Sequence, residues 1–290
     1  MDDVVCAARR RNILGEGPCW DGRAGRLYWL DIKGRRLEWL SPATGAASGW
    51  DLDRQVSALA MRAPGGLVVA TEDGFATFDP DTGVLELRCP IEPERIGNRT
   101  NDGGLDRQGR WWVGTMDDAV QRRTGAVYRL DPDWTCRRML DGYGIPNTFA
   151  CTEDGRSLLI ADSMDQLLRR YPLDVATGAL GEPAPFAHTQ GQDATPDGGA
   201  MDAEGFLWNA QWGGWRLVRY APDGSVDRVV EMPVEQPSSC AFGGEGLRTL
   251  FVTSAREGLS EADLEDQPLA GSLFAVDVGV AGLDHGVFPG

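Results

Sequence analysis

Short apolar segments recur along the chain at intervals of 40 to 49 residues. Each segment is rich in β-branched, aromatic or leucine residues and follows a turn that contains Gly, Asp or Pro, which is typical of a β-strand. The six segments read GRLYWLDI from residue 25, GGLVVATE from 65, GRWWVGTM from 109, RSLLIADS from 156, GFLWNAQW from 205 and RTLFVTSA from 248. The pattern therefore predicts six all-β repeats.

Further strands are predicted on both sides of each apolar segment. A second strand follows and usually ends in a turn such as DPDTG, because Pro fixes φ and Gly accepts a positive φ. An innermost strand precedes each segment. Repeats of this size match the blades of a β-propeller. We predict an all-β, six-bladed β-propeller of four-stranded antiparallel blades, forming a single domain over residues 1–290. Residues 4–10 are expected to supply the outer strand that closes the ring, and one short helix is expected around residues 260–267.

A polar residue stands eight or nine positions before each apolar segment, within the predicted innermost strand. These residues are Glu16, Ser57, Asn101, Asn147, Asp197 and Ser239. Innermost strands line the channel of a propeller, so the side chains are expected to converge. Two converging carboxylates need a cation or a proton between them. Oxygen donors without sulfur or imidazole favour Ca²⁺, Mg²⁺, Mn²⁺ or Fe²⁺, with Zn²⁺ as a further candidate. The alternative is a solvated channel mouth that holds no ion.

The composition argues against several other kinds of function. The net charge is −16, from 28 basic and 44 acidic residues, which disfavours nucleic acid and anionic membranes as partners. The two histidines, His188 and His285, are not in metal-binding spacing, and Lys33 is the only lysine. A histidine-rich zinc site, a Ser-His-Asp triad and Schiff-base chemistry are therefore disfavoured. Without the apolar core of a signal peptide or a membrane-spanning run, a cytoplasmic protein is expected.

The sequence resembles the regucalcin/gluconolactonase (SMP-30/gluconolactonase/LRE-like) family of six-bladed propeller lactonases, particularly its bacterial sugar-lactonase members. The resemblance covers nearly the whole chain. It rests on LGEGPCW from residue 14, NRTNDGGLDRQGRWWVGTMDD from 98, and PDGGAMDAEGFLWNAQWGGWRLVRYAPDG from 196, among other segments. It implies a hydrolase that opens a small sugar lactone, a pentono- or hexonolactone, to the sugar acid. We expect a monomer or a weak oligomer.

The same resemblance implies roles for individual residues. Glu16, Asn147 and Asp197 would ligate one divalent metal ion (Fe²⁺, Zn²⁺, Mn²⁺, Mg²⁺ or Ca²⁺) and form the catalytic group, with Asp197 as the candidate general base. Arg99 and Asn101 would hold the substrate.

An acidic residue of the segment GTMDD would join them, and both Asp117 and Asp118 are candidates. The chain departs from the family pattern at Thr148, where many members have glycine after the asparagine. This change is expected to alter the shape of the pocket or the pose of Asn147.

Two other functions are compatible with the same residues. One is phosphotriester hydrolysis on the axial metal site, and the other is a propeller that binds a cation without catalysis. Arg99 and the two aspartates of GTMDD favour an enzyme acting on a hydroxylated substrate, because an ion site alone needs no substrate-binding side chains.

Overall fold

The structure is a computed structural model that describes residues 3–290. Its strands form six four-stranded sheets, in which neighbouring strands run antiparallel. These sheets are the blades of a six-bladed β-propeller, so the predicted fold class is confirmed. No helix within residues 3–290 has the length and apolar character needed to cross a membrane.

The strands are numbered along the chain, and four consecutive strands make up most of the blades. Their bounds are β1 (Val4–Ala8); β2 (Gly15–Asp21), β3 (Arg26–Asp31), β4 (Arg36–Ser41) and β5 (Ala46–Asp51); β6 (Val56–Met61), β7 (Leu67–Thr71), β8 (Gly74–Asp79) and β9 (Val84–Pro90); β10 (Asn98–Leu105), β11 (Trp111–Asp117), β12 (Gly125–Leu130) and β13 (Cys136–Tyr143); β14 (Pro146–Cys151), β15 (Ser157–Asp162), β16 (Leu167–Pro172) and β17 (Ala184–His188); β18 (Thr195–Met201), β19 (Leu207–Trp212), β20 (Arg216–Tyr220) and β21 (Val226–Glu231); β22 (Pro237–Gly243), β23 (Thr249–Ser254) and β24 (Leu273–Asp277).

Both ends of the chain contribute to the last blade. Its strand order is β1-β24-β23-β22, and β1 pairs antiparallel with β24 through Val4↔Val276 and Val5↔Ala275. The N-terminal segment is therefore the outer strand of this blade, as predicted, and the strand ends at Ala8 rather than at residue 10.

The described residues group into two compact units of three blades each. The first unit holds the residues up to Gln55 together with Gly191–Asp284, and the second holds Val56–Gln190 together with His285–Gly290. The core of the first unit includes Trp208, Leu217, Phe242 and Phe274. The core of the second unit includes Phe75, Trp111, Val113 and Phe288.

The six apolar segments of the sequence form the second strand of each blade. All seven residues of β11 and all five of β7 are buried, because such strands have packed side chains on both faces. The outer strand β9 is mostly exposed by contrast. This difference explains why the second strands dominate the hydrophobic pattern.

Every innermost strand contains a β-bulge close to its polar residue. The register shifts lie between Glu16 and Cys19, Val56 and Ala58, Thr100 and Gly103, Asn147 and Ala150, Pro196 and Gly199, and Pro237 and Ser239. A bulge leaves extra residues unpaired and redirects their side chains.

The bulges show how far the predicted polar positions are equivalent. Glu16 and Asn147 are the last paired residues before their bulges, whereas Asn101 and Asp197 are the first residues inside theirs. The predicted equivalence is thus accurate to within one residue. In the last blade Ser238, rather than Ser239, lies inside the bulge.

The short helix predicted around residues 260–267 is present as α1 (Glu261–Asp266). Its N-terminus carries a capping box: Ser260 Oγ accepts a hydrogen bond from Asp263 N at 3.2 Å, and the Asp263 carboxylate accepts one from Ser260 N at 2.9 Å. This reciprocal pair fixes the start of a helix that is too short to be stable alone.

Candidate active site

A row of three hydrogen-bonded side chains lies on two neighbouring innermost strands of the second unit. Arg99 and Asn101 belong to β10, and Asn147 belongs to β14. Arg99 Nη1 donates to Asn101 Oδ1 at 2.8 Å, and Asn101 Nδ2 donates to Asn147 Oδ1 at 2.8 Å. Asn147 Nδ2 in turn donates to Ser163 Oγ at 2.9 Å. The orientation of the Asn147 amide is therefore fixed on both sides.

The two aspartates at the end of β11 have different partners. Asp118 accepts a hydrogen bond from Arg99 Nε at 2.5 Å. The carboxylate of Asp117 instead accepts from the backbone N–H of Gln121 at 2.9 Å and from Arg122 Nη2 at 2.6 Å. The hydrogen bond from Arg122 lowers the pKa of Asp117 below its ordinary value, and the bond from the Gln121 N–H adds a smaller effect in the same direction. The structure thus brings Asp118 to Arg99, whereas Asp117, the last residue of β11, holds the turn that follows through Gln121 and Arg122.

Asp102 is a buried carboxylate that the sequence predictions did not include, and it binds the backbone directly after Asn147. Asp102 accepts hydrogen bonds from Gly103 N at 2.8 Å and from the backbone N–H groups of Thr148 and Phe149. The latter two residues form the bulge of β14. Burial raises the pKa of Asp102 to about 6, against the lowering effect of these three hydrogen bonds. The signal in the sequence was an acid directly after Asn101 in the segment NDGG.

Thr148 adopts a backbone conformation that favours glycine. Its φ is 54° and its side chain is buried. A positive φ is unusual for a β-branched residue and is maintained only where the surroundings enforce it. The bond from Thr148 N to Asp102 is one such constraint, which holds threonine in a backbone conformation that glycine adopts readily.

The two acidic site residues of the first unit are both buried. Glu16 is 8% exposed and Asp197 is 6% exposed. Glu16 Oε2 accepts a hydrogen bond from Gly17 N at 3.1 Å. Asn209 on β19 donates to the backbone carbonyl of Asp197 at 2.8 Å, so its side chain fixes the bulge that carries Asp197.

Close packing of strands explains the glycines beside these acids. A Cβ atom at Gly198 would lie 2.1 Å from Ser239 Oγ, and one at Gly15 would lie 2.4 Å from the carbonyl oxygen of Ser254. Neither position has room for a larger residue. The small neighbours of the acids therefore reflect the approach of β22 and β23 to the innermost strands.

The predicted metal ligands provide only oxygen donors. Two of them, Glu16 and Asp197, are buried carboxylates of the first unit, and the third is the amide oxygen of Asn147 in the second. Within residues 3–290, His, Cys, Asp and Glu side chains do not gather in groups of three or more that could hold a metal ion by themselves. Carboxylate and amide oxygens are ligands that hard divalent cations prefer, so the chemistry of each of these side chains fits such an ion.

Comparison with known proteins shows the family of this six-bladed propeller. Residues 14–256 match the family described as SMP-30/Gluconolactonase/LRE-like region. The chain belongs to this family, as its sequence predicted.

Three relatives extend the match over nearly the full length. The chain is 36% identical to the 6-deoxy-6-sulfogluconolactonase of Pseudomonas putida, with 100% of this chain and 99% of the relative covered. It is 38% identical to the L-arabinolactonase of Azospirillum brasilense, covering 98% and 94%. The crystal structure of a calcium-binding protein, regucalcin, from Agrobacterium tumefaciens matches with a TM-score of 0.94 and 32% identity over 98% of this chain and 96% of that one. The two lactonases confirm the predicted enzyme class.

Proposed function

We propose that the protein is a metal-dependent sugar lactonase that hydrolyses a pentono- or hexonolactone to the sugar acid. The observation that carries this proposal is the hydrogen-bonded row of Arg99, Asn101 and Asn147, with Asp118 attached to Arg99. The lactonase relatives are named for a hexose-derived and a pentose-derived lactone, which supports this substrate class.

Arg99 is suited to hold the hydroxylated end of the substrate. Its side chain is only 6% exposed, and its Nε and Nη1 groups bond to Asp118, Asn101 and the carbonyl of Thr100. The two N–H groups on Nη2 have no hydrogen-bond partner among residues 3–290. A guanidinium held in this way presents donors in a fixed geometry to sugar oxygens.

Glu16, Asn147 and Asp197 would hold the divalent ion. Their equivalent places at the bulges of innermost strands support this assignment, as does the calcium-binding relative. When bound, the ion would polarise the lactone carbonyl and stabilise the charge that develops on its oxygen. Asn101 would keep the Asn147 oxygen in position.

Asp197 would act as the general base. Its carboxylate would take a proton from the water that attacks the carbonyl carbon. The ring C–O bond then breaks, and the proton returns to the ring oxygen as the new hydroxyl. Arg99 and Asn101 would hold the sugar hydroxyls during this step.

A chelation and reconstitution experiment tests the proposal. The purified protein is treated with chelator, dialysed, and supplied in turn with Fe²⁺, Zn²⁺, Mn²⁺, Mg²⁺ or Ca²⁺, and the opening of pentono- and hexonolactones is followed by acid release. We expect hydrolysis above the spontaneous rate only when an ion is supplied. Rates that never exceed the spontaneous one with any ion would refute the enzyme hypothesis.

Substitution of the two neighbouring aspartates separates their roles. Asp118→Asn is expected to lower kcat/KM by at least about tenfold, because Arg99 loses its charged partner near the substrate. Asp117→Asn is expected to lower the melting temperature, since it loosens the turn, and to affect kcat/KM less. Steady-state kinetics and thermal melts of both variants provide the measurement. Equal losses of kcat/KM in the two variants would contradict the assignment of Asp118.

Two alternatives remain distinguishable by assay. The polar surroundings of Arg99 and Asn101 favour a hydroxylated substrate over an apolar phosphotriester, so an aryl phosphotriester should be hydrolysed far more slowly than a sugar lactone. A cation-binding protein without catalysis would bind an ion without hydrolysing either compound. The single domain, the monomeric or weakly oligomeric state and the cytoplasmic location stay predictions.

A further inference from the structure

A small cavity of the first unit lies between the residues that precede β2 and the loop that follows β23. Its volume is about 100 Å³, and its wall is formed by Arg9, Arg11, Arg256, Leu264, Gln267, Pro268 and Ala270. The wall therefore contains three guanidinium groups and no carboxylate. This is a marked local excess of positive charge in a protein with 44 acidic and 28 basic residues.

The backbone before β2 determines which arginines face this cavity. Arg10 N donates to Ser272 Oγ at 3.2 Å, and Asn12 N donates to the carbonyl of Gly271 at 3.0 Å. The segment is thus anchored along residues 271–272. Arg10 and Asn12 both bind the carboxylate of Glu38, the former as an ion pair and the latter through Nδ2 at 2.8 Å.

The four residues before Ile13 are thus divided between two sites. Arg10 and Asn12 bind Glu38, whereas Arg9 and Arg11 line the cavity.

The third arginine is positioned by its own backbone. Arg256 N donates to the carbonyl of Ile13 at 2.9 Å. A Cβ atom at Gly271 would lie 2.9 Å from Arg256 Cγ, so the stem of the arginine packs against the backbone there. The cavity is accordingly built by anchored segments, with Leu264, Pro268 and Ala270 as its apolar part.

In the described part of the chain, carboxylates near the cavity do not pair directly with these arginines: that of Glu235 accepts a hydrogen bond from Gln267 Nε2 at 3.2 Å. Within residues 3–290, the guanidinium groups of Arg9, Arg11 and Arg256 form no ion pair or hydrogen bond, in contrast to Arg10. Three like charges at one cavity repel each other, and an anion between them would remove this repulsion.

We propose that this cavity is a binding site for a phosphate-type dianion, either inorganic phosphate or the phosphoryl group of a small metabolite. Guanidinium groups match the tetrahedral oxygens of phosphate through paired N–H donors. Three of them favour a dianion over a monoanion. None of the residues that line the cavity is among the proposed lactone-site residues, so the proposal does not depend on the proposed catalytic function.

Calorimetry and thermal melts with inorganic phosphate test the site. The protein is dialysed free of chelator and titrated with sodium phosphate, with sodium chloride at equal ionic strength as the reference. We expect phosphate, but not chloride, to raise the melting temperature. Arg9→Gln and Arg11→Gln should each weaken phosphate binding by about tenfold or more, as loss of a charged hydrogen bond predicts. The double variant should abolish binding.

The matched control is Arg137→Gln, which alters an arginine of the second unit whose side chain is 60% exposed and lies 3.6 Å from Asp131. Its phosphate affinity should equal that of the wild type. Equal phosphate affinity in the wild type and the Arg9/Arg11 double variant would overturn the proposal, and so would an effect no larger than that of chloride. Arg9 and Arg11 are exposed, so these variants are expected to fold.

Further ligands identify the source of the phosphoryl group. A hexose 6-phosphate that binds more tightly than inorganic phosphate would identify a phosphate ester as the ligand. Equal or weaker binding would identify free phosphate. Acetate binding as tightly as phosphate would overturn the preference for a dianion.

Discussion

Asp197→Asn is expected to lower kcat/KM for sugar lactones by at least about a thousandfold. The substitution keeps the size of the side chain but removes both a charged metal ligand and the proposed proton acceptor, and loss of general-base catalysis alone accounts for about 10²- to 10⁴-fold. The strand around it should remain intact, because Asn209 bonds to the backbone carbonyl of residue 197, which the substitution retains. Lactone hydrolysis at saturating metal concentration measures the effect.

Asp193→Asn provides the matched control for this variant. Asp193 lies four residues earlier and is exposed, so the same change of charge should leave both kcat/KM and the melting temperature near their wild-type values. A wild-type rate in Asp197→Asn would refute the proposed site. A large loss in Asp193→Asn would show that net charge, rather than the Asp197 carboxylate, controls activity.

The second large effect is expected in the dependence of stability on pH. The pKa of Asp102 rises from 3.8 to about 6 on folding, mainly because the group is buried. Between these values the folded protein holds a proton that the unfolded chain has lost, so protonation favours the folded state. This contribution is complete below the unfolded pKa and is lost as the pH rises through about 6. At about 1.4 kcal/mol per pKa unit it amounts to roughly 3 kcal/mol.

Urea unfolding of the wild type and Asp102→Asn between pH 4 and pH 7.5 measures this contribution. Other carboxylates, such as Asp117 and Asp141, have lowered pKa values and act in the opposite direction. The difference between the two proteins isolates Asp102, because those groups are present in both. We expect the free energy of unfolding to fall more between pH 4 and pH 6 in the wild type than in the variant. Parallel curves would contradict the raised pKa.

The fold was predictable because each blade contains a buried strand, and these strands recur in the sequence as apolar segments. A strand such as β11, buried at all seven positions, leaves an apolar run that recurs once per blade. The polar residues of the innermost strands were predictable for the same reason. Their individual roles came from the resemblance to a family, since position in a repeat does not distinguish a metal ligand from a substrate-binding side chain.

Other features of the site depend on geometry that a sequence does not show. Asp117 and Asp118 are adjacent acids, and only the conformation of the turn decides which one meets Arg99. Asp102 acts on the bulge of a strand more than 40 residues away. The bulges also shift the register by single residues, which is why Ser239 was placed one position too far along.

The pairing of β1 with β24 has a consequence for synthesis of the protein. Val4 and Val276 are partners in one sheet, although nearly the whole chain separates them. At about 5 to 20 residues per second, β1 leaves the ribosome on the order of half a minute before its partner exists. During this time the strand has backbone N–H and C=O groups without their final partners, which makes it open to pairing with other chains. The last blade can therefore form only after β24 has left the ribosome.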